Sequence, residues 1–288
     1  MAAKLAAPLA AQLAVLLTVC LGLGLMPSTA LAQPTQTLEL ELAGQRVALD
    51  VYHPTTADGR ARGAVILSHG FTRSRRTMGG HAAALAARGM LALTPDLPYT
   101  FDFNRNAQGL AELVAALRSG RAGTGAAVER VVLVGFSAGA LSSLLAANAP
   151  GVVGYVGLDA FDKLSDNQAL GLAFAPRVTA EVLLLRAPPS RCNAESVSAP
   201  WRLAVPRLLS DRVIPSASHC DFESPSDWVC HLACGRADAD RQAEVRHALV
   251  EAAERWLGAG ANQVANQVAN PGAAPGTAPA SNPTVQPP

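Results

Sequence analysis

Arg130-Val-Val-Leu-Val-Gly-Phe-Ser-Ala-Gly139 carries a continuous apolar run into a serine between two glycines, and residues 138–148 then continue as an Ala-rich helical stretch. A strand with no polar alternation is buried on both faces, which places it inside a mostly parallel sheet. Gly135 and Gly139 are what a sharp strand-to-helix turn requires, because the backbone segments approach too closely there for larger side chains. Such a turn projects Ser137 as a nucleophile; the bland alternative is a serine that only caps the helix.

The neighbouring segments repeat the pattern. Residues 64–68, 90–94, 152–156 and 181–185 are compact apolar runs, with helical stretches at 79–87 and 107–118 between them. Residues 37–42 and 45–52 alternate on either side of Gly44 and predict a hairpin at a sheet edge. A last strand is expected over 212–215, followed by a helix over 237–257. This β/α repetition predicts an α/β fold with a mostly parallel central sheet flanked by helices.

Composition bounds what such a domain can do. The chain has 288 residues, 16% of them charged and 50% hydrophobic, so it can bury a sizeable core. A formal charge of +1 supplies no field for gripping nucleic acid. Residues 1–32 form an apolar leader with one charge, Lys4, and the small-residue sequence Ala30-Leu31-Ala32 before Gln33. It reads as a cleaved secretory signal, and the protein as secreted or periplasmic. The leader's apolar stretch is short for a membrane anchor, and Cys20 lies inside it after Val19, which does not suit lipidation. No later segment has an apolar run of about 20 residues, so no transmembrane anchor is expected after cleavage. Residues 33–259 read as one domain and 260–288 as a flexible, uncharged Gly/Pro/Asn-rich tail; a monomer is expected.

Four of the five cysteines follow the leader: Cys192, Cys220, Cys230 and Cys234. In an exported chain an even number favours two disulfides, with three pairings to choose from. Cys192 with Cys220 and Cys230 with Cys234 is the preferred one. A metal site is disfavoured, since the close pair lacks a second paired cluster.

The chemistry of a serine nucleophile asks for a base, an acid and oxyanion donors. His219 follows the last expected strand and can take the Ser137 proton, whereas His231 sits in a Cys-rich loop and is read as structural. Asp159 ends the segment Val152-Val-Gly-Tyr-Val-Gly-Leu-Asp159 and keeps the order Ser, Asp, His; Asp162 and Glu195 are the alternative acids. The loop Ser68-His69-Gly70-Phe71 can offer the Phe71 N–H beside the Ala138 N–H as an oxyanion hole, with His69 shaping the loop. Thr72 and Arg73 border it. Phe71, Phe136, Phe161 and Leu164 are candidate pocket walls, each equally suited to core packing.

On these residues, 45–257 resemble an α/β-hydrolase, especially the chlorophyllase-like, dienelactone-hydrolase-like and platelet-activating-factor-acetylhydrolase-like esterases. The resemblance implies Ser137 as nucleophile, His219 as base, and Phe71 and Ala138 as oxyanion donors. Leu158-Asp159-Ala160-Phe161 is similar to the segment that carries the acid in the acetylhydrolases. His219-Cys220-Asp221-Phe222-Glu223, with Cys230 and Cys234-Gly235 beyond it, looks like the histidine loop of secreted chlorophyllase-like proteins. Polyester-degrading cutinases share the scaffold but place the acid later, where this chain has no aspartate. The expected reaction is cofactor-free hydrolysis of a small-molecule or lipid-like ester through an acyl-enzyme, in a fairly open cleft without a large lid. A non-catalytic extracellular binding protein on the same scaffold, or a surface module attached through the tail, are the competing classes.

Overall fold

The computed structural model describes residues 33–56, 60–165 and 168–269. The leader and its cleavage point, and residues 270–288 of the expected tail, lie outside the described residues.

The described residues form ten strands: β1 Gln36–Leu42, β2 Gln45–Tyr52, β3 Ala64–Ser68, β4 Leu91–Pro95, β5 Val131–Phe136, β6 Val152–Leu158, β7 Leu164–Ser165, β8 Gln168–Ala169, β9 Glu181–Arg186 and β10 Leu208–Val213. Eight of them make one sheet in the order β1-β2-β4-β3-β5-β6-β9-β10, and β7 pairs only with β8. β2 is antiparallel to both β1 and β4, while every other pairing in the large sheet is parallel. The helices are α1 Gly79–Ala86, α2 Phe103–Arg118, α3 Ala138–Leu145, α4 Leu170–Phe174, α5 Trp201–Ala204, α6 Trp228–Cys234 and α7 Ala239–Ala269.

The period of two in the central strands explains the layering. Val131 and Leu133 of β5 pack with Leu110, Leu113 and Leu144 from α2 and α3 on one face. Val132, Val134 and Phe136 pack with Leu85, Leu249 and Trp256 from α1 and α7 on the other. Both faces of the strand are covered, which is why its sequence shows no polar alternation.

Three expectations shift. The last strand lies at Leu208–Val213, not 212–215, and pairs in parallel with β9. Its sequence, Leu-Leu-Ser-Asp-Arg-Val, is that of an edge strand, half polar, so no apolar run announces it. Arg186 and Asp211 tie it to β9 through two hydrogen bonds of 2.7 Å. The last helix runs Ala239–Ala269, past the end expected at 257. Finally, the cysteines pair as Cys192–Cys234 and Cys220–Cys230, which corrects the pairing preferred above. Cys230 and Cys234 sit four apart on α6, where their Cβ vectors run nearly parallel along one helix face and do not suit a mutual bond. Each instead meets a loop that passes beneath that face. The Sγ atoms of Cys220, Cys230 and Cys234 lie within 4.8 Å of one another, but all are consumed in disulfides and offer no thiolate to a metal.

Candidate active site

The residues singled out from the sequence meet at the carboxyl ends of the parallel strands. Phe71 follows β3, Ser137 follows β5, Asp159 follows β6 and His219 follows β10.

Ser137 sits at the turn between β5 and α3 with φ 52° and ψ −120°, a region that costs a non-glycine residue energy and persists only where the surroundings enforce it. The surroundings are specific. The Ser137 amide donates to the Leu158 carbonyl at 3.0 Å, and its own carbonyl accepts from Ala140 and Phe161 at 3.0 and 3.1 Å. A Cβ on Gly139 would lie 2.3 Å from the His69 carbonyl oxygen, and one on Gly135 2.4 Å from Ala140 Cα. Only glycines admit this approach, so the two flanking glycines are a packing requirement of the turn.

His219 Nδ1 donates to Asp159 Oδ2 at 2.6 Å, and both residues are buried. This bond fixes the imidazole tautomer and leaves Nε2 as the bare nitrogen. The Phe136 ring lies 4.6 Å from the imidazole, centroid to centroid. Phe136 therefore supports the histidine from the core and does not line the cleft described below. The second carboxylate oxygen of Asp159 accepts from the Ala187 amide at 2.9 Å and from Asn193 Nδ2 at 3.2 Å.

The structure does not bring the other two carboxylates to His219. Asp162 is buried but engaged elsewhere, accepting from the amides of Gly171 and Leu172 at 2.7 and 2.9 Å and from Trp201 Nε1 at 2.7 Å. It anchors α4 and α5. Glu195 is exposed, on a loop where Ala194, Glu195 and Ser196 all adopt positive φ.

His69 lies in the loop after β3. Its Nδ1 donates to the Gly70 carbonyl at 2.8 Å while Nε2 accepts from the Leu97 amide at 2.9 Å, so both nitrogens are occupied. Burial pushes its pKa below the usual value, consistent with a neutral ring. Asp96 Oδ1 lies 3.9 Å from Nε2, but a nitrogen already accepting a proton makes no ion pair with a carboxylate. His69 thus shapes the loop. The amides of Phe71 and Ala138 take part in no hydrogen bond among the described residues.

A cleft of about 370 Å³ opens over Ser137 and Ala138, walled by Phe71, Phe101, Phe103 and Phe161, with Lys163 and Cys192 at its edges. Thr72 borders a smaller adjoining recess of about 100 Å³. The side chain of Leu164 lies outside the described residues. A separate cavity of about 430 Å³ at the opposite ends of the strands, beside Arg62, Glu129 and Arg130, contains none of the groups above.

Several participants left little trace in the sequence. Asn193 is fully buried, its oxygen accepting from the Ser190 and Ser196 amides at 2.8 and 3.0 Å, and only the Ser190 to Asn193 capping spacing hinted at order there. Arg73 makes a two-pronged bond to Glu223 at 2.9 and 2.6 Å and reaches Asp227 at 3.0 Å. It braces the loop after β3 against the turn that carries His219. Phe101 and Phe103 flank the start of α2, where the aromatic-rich string Tyr99 to Phe103 was the available signal.

No protein-family model matches the chain, and no curated protein matches it either. Solved structures do. The chain is similar to a dienelactone hydrolase from Anabaena variabilis, with 21% identity and a TM-score of 0.56 over 78% of this chain and 97% of that one. An esterase domain of a Rhodothermus marinus protein matches with 17% identity and a TM-score of 0.56, covering 77% of this chain and 98% of the other. An alpha-beta serine hydrolase homologue from Coxiella burnetii matches with 14% identity and a TM-score of 0.56, over 76% and 97%. The fold is that of the α/β-hydrolases.

Proposed function

We propose that the protein is a serine hydrolase that cleaves carboxylic esters through an acyl-enzyme, with Ser137, His219 and Asp159 as its triad. The observation that carries this reading is the buried His219–Asp159 bond beside a serine held at φ 52° at the mouth of an apolar cleft. Ser137 Oγ attacks the ester carbonyl while His219 Nε2 takes its proton. Asp159 keeps Nδ1 protonated and offsets the charge of the imidazolium. The carbonyl oxygen, now anionic, is received by the free amides of Phe71 and Ala138, which are fixed before the reaction and need no reorganisation. His219 returns the proton to the leaving alcohol, and a water activated by the same nitrogen then releases the acid and restores Ser137. No step calls for a metal or cofactor.

The cleft's four phenylalanine walls suit an apolar group on one side of the ester. The mature chain is read as exported, in keeping with its two disulfides. The test is labelling by a fluorophosphonate together with turnover of soluble esters of graded acyl length. The wild type should be labelled at Ser137, and Ser137→Ala should lose label and about 10³-fold or more in kcat. A folded Ser137→Ala variant with unchanged turnover would overturn the mechanism. A wild type that neither labels nor turns over would favour a binding protein on this scaffold.

A further inference from the structure

Helix α6 is seven residues long, too short to persist on its own, and it is fastened at three points to the elements that surround Ser137. Asp227, whose side chain caps it at Cys230 N, lies 3.0 Å from Arg73 of the oxyanion loop. Cys230 is bonded to Cys220, the neighbour of His219, and Cys234 to Cys192 at the edge of the cleft. The fastened face is the cysteine face. Trp228, Val229 and Leu232 occupy the opposite one, at 72%, 47% and 81% exposure.

A short helix usually holds to a domain by burying its apolar residues; this one is held by cross-links and leaves them in water. Of the eight large apolar side chains left exposed among the described residues, five belong to this rim: these three with Phe71 and Phe101. Phe71 and Phe101 pack on each other at 5.3 Å and line the cleft itself. Cys192 lines the same cleft and is bonded to Cys234, so α6 sits at its edge. The rim's charged border is mainly basic. Lys163 at the cleft, Arg191 beside Cys192 and Arg236 beyond Cys234 have no ion-pair partner among the described residues. The acidic groups of the same segments are Asp102, occupied in capping α2, Glu195, and Asp227, which is paired with Arg73.

We propose that this rim docks on an anionic phospholipid surface, with Trp228, Val229, Leu232, Phe71 and Phe101 entering the acyl boundary and the three cations meeting phosphate. An apolar face bordered by cations is the pattern of an interfacial element, and binding scales with the apolar area buried plus attraction to anionic headgroups. The cleft then opens toward the lipid, so that esters carried in that surface reach Ser137 without crossing water. This last step rests on the esterase reading; the docking does not.

The sequence supplies its own probe. Of the three tryptophans, Trp201 and Trp256 are buried and Trp228 is exposed, so a change in emission on docking reports Trp228. Vesicles of phosphatidylcholine with phosphatidylglycerol should shift the emission to the blue and carry the protein in flotation, with weaker partition onto phosphatidylcholine alone or at high salt. The variant Trp228→Ser/Leu232→Ser should float at least ~tenfold less well while turning over a soluble short-chain ester at the wild-type rate. The proposal is overturned if the wild type does not float, if the variant floats equally, or if partition is no stronger onto the anionic vesicles. It is also overturned if the emission shifts with protein concentration in the absence of lipid, which would make the face a contact between two copies. Failure of the wild type to hydrolyse any soluble ester would count against the esterase reading and leave the flotation result standing.

Discussion

The two halves of the proposed catalytic site are held by different physics. The nucleophile half, Gly135 to Ala140, is fixed by backbone that approaches too closely for any side chain, under a sheet whose strands are buried on both faces. The acid and base half, spread over the loops after β6, β9 and β10, is fixed by the bond between His219 and Asp159, two disulfides, a buried Arg73–Glu223 pair and a donor from Asn193. The first is a property of the fold. The second is assembled from polar links that can be cut one at a time, so the two halves should fail separately.

The largest separation comes from Asp159→Asn. The amide preserves shape but no longer favours a proton on His219 Nδ1, and kcat should fall by about 10³–10⁴-fold with KM little changed. Ser137 stays in its turn, so the thermal midpoint measured by calorimetry should hold to within a few degrees. Comparable activity in the variant would mean that the histidine takes its orientation elsewhere.

Reduction should cut deeper into stability than into the nucleophile turn. Cys192–Cys234 spans 42 residues and Cys220–Cys230 spans 10. Chain-entropy arguments give about 4 and about 3 kcal/mol for loops of these sizes. Cys192→Ser/Cys234→Ser should therefore lower unfolding free energy by the larger amount in urea titrations. It should also slow fluorophosphonate labelling, because the loop bearing Asn193 loses its tether. A variant with native stability and labelling rate would remove the disulfide from the account of the acid half.

The same division governs what could be read in the amino-acid order. Residues 130–139 carry their structure locally: unbroken apolar residues, then Gly-x-Ser-x-Gly, so strand, turn and helix follow from neighbours in sequence. The His219–Asp159 bond joins residues 60 apart, and Asp159 could be favoured only because its strand tip and chain order matched. The Arg73–Glu223 pair has no local pattern, and the capping spacing at Asn193 says nothing of Asp159, since these partners lie 150 and 34 positions away. The disulfide pairing is the sharpest case. The sequence left three pairings open, and the preferred Cys230–Cys234 bond does not suit two cysteines on the helix Trp228–Cys234.

A fully buried titrating group also lies under the acid and base half. His81 of α1 is fully buried, with Nε2 donating to the Phe222 carbonyl in the His219 turn at 3.2 Å and Nδ1 unpartnered. Burial lowers its pKa from 6.5 to about 4. The unfolded chain therefore binds a proton that the native state refuses between those values. Its contribution is intact above about pH 6.5, falls away as the pH drops toward 4, and amounts to about 3 kcal/mol in all. His81→Gln keeps an N–H for the Phe222 carbonyl but cannot titrate. Urea midpoints measured from pH 7 to pH 4 should fall less steeply in that variant, and parallel curves would assign the acid sensitivity to other groups.

The smallest expected effect tests the finest distinction, whether Asn193 acts on the acid or only fills space. Asn193→Ala leaves Asp159 Oδ1 with the Ala187 amide as its one protein donor and strips the Ser190 and Ser196 amides of their acceptor. One charge-assisted hydrogen bond at a carboxylate is worth about 1.5–3 kcal/mol. Part of that is recovered by water, so kcat should drop about tenfold with KM unchanged. A stability loss alone would not identify the role, because both accounts predict one. The kinetic split separates them: a residue that merely packs would lower the urea midpoint and leave kcat of the folded variant within about twofold of wild type.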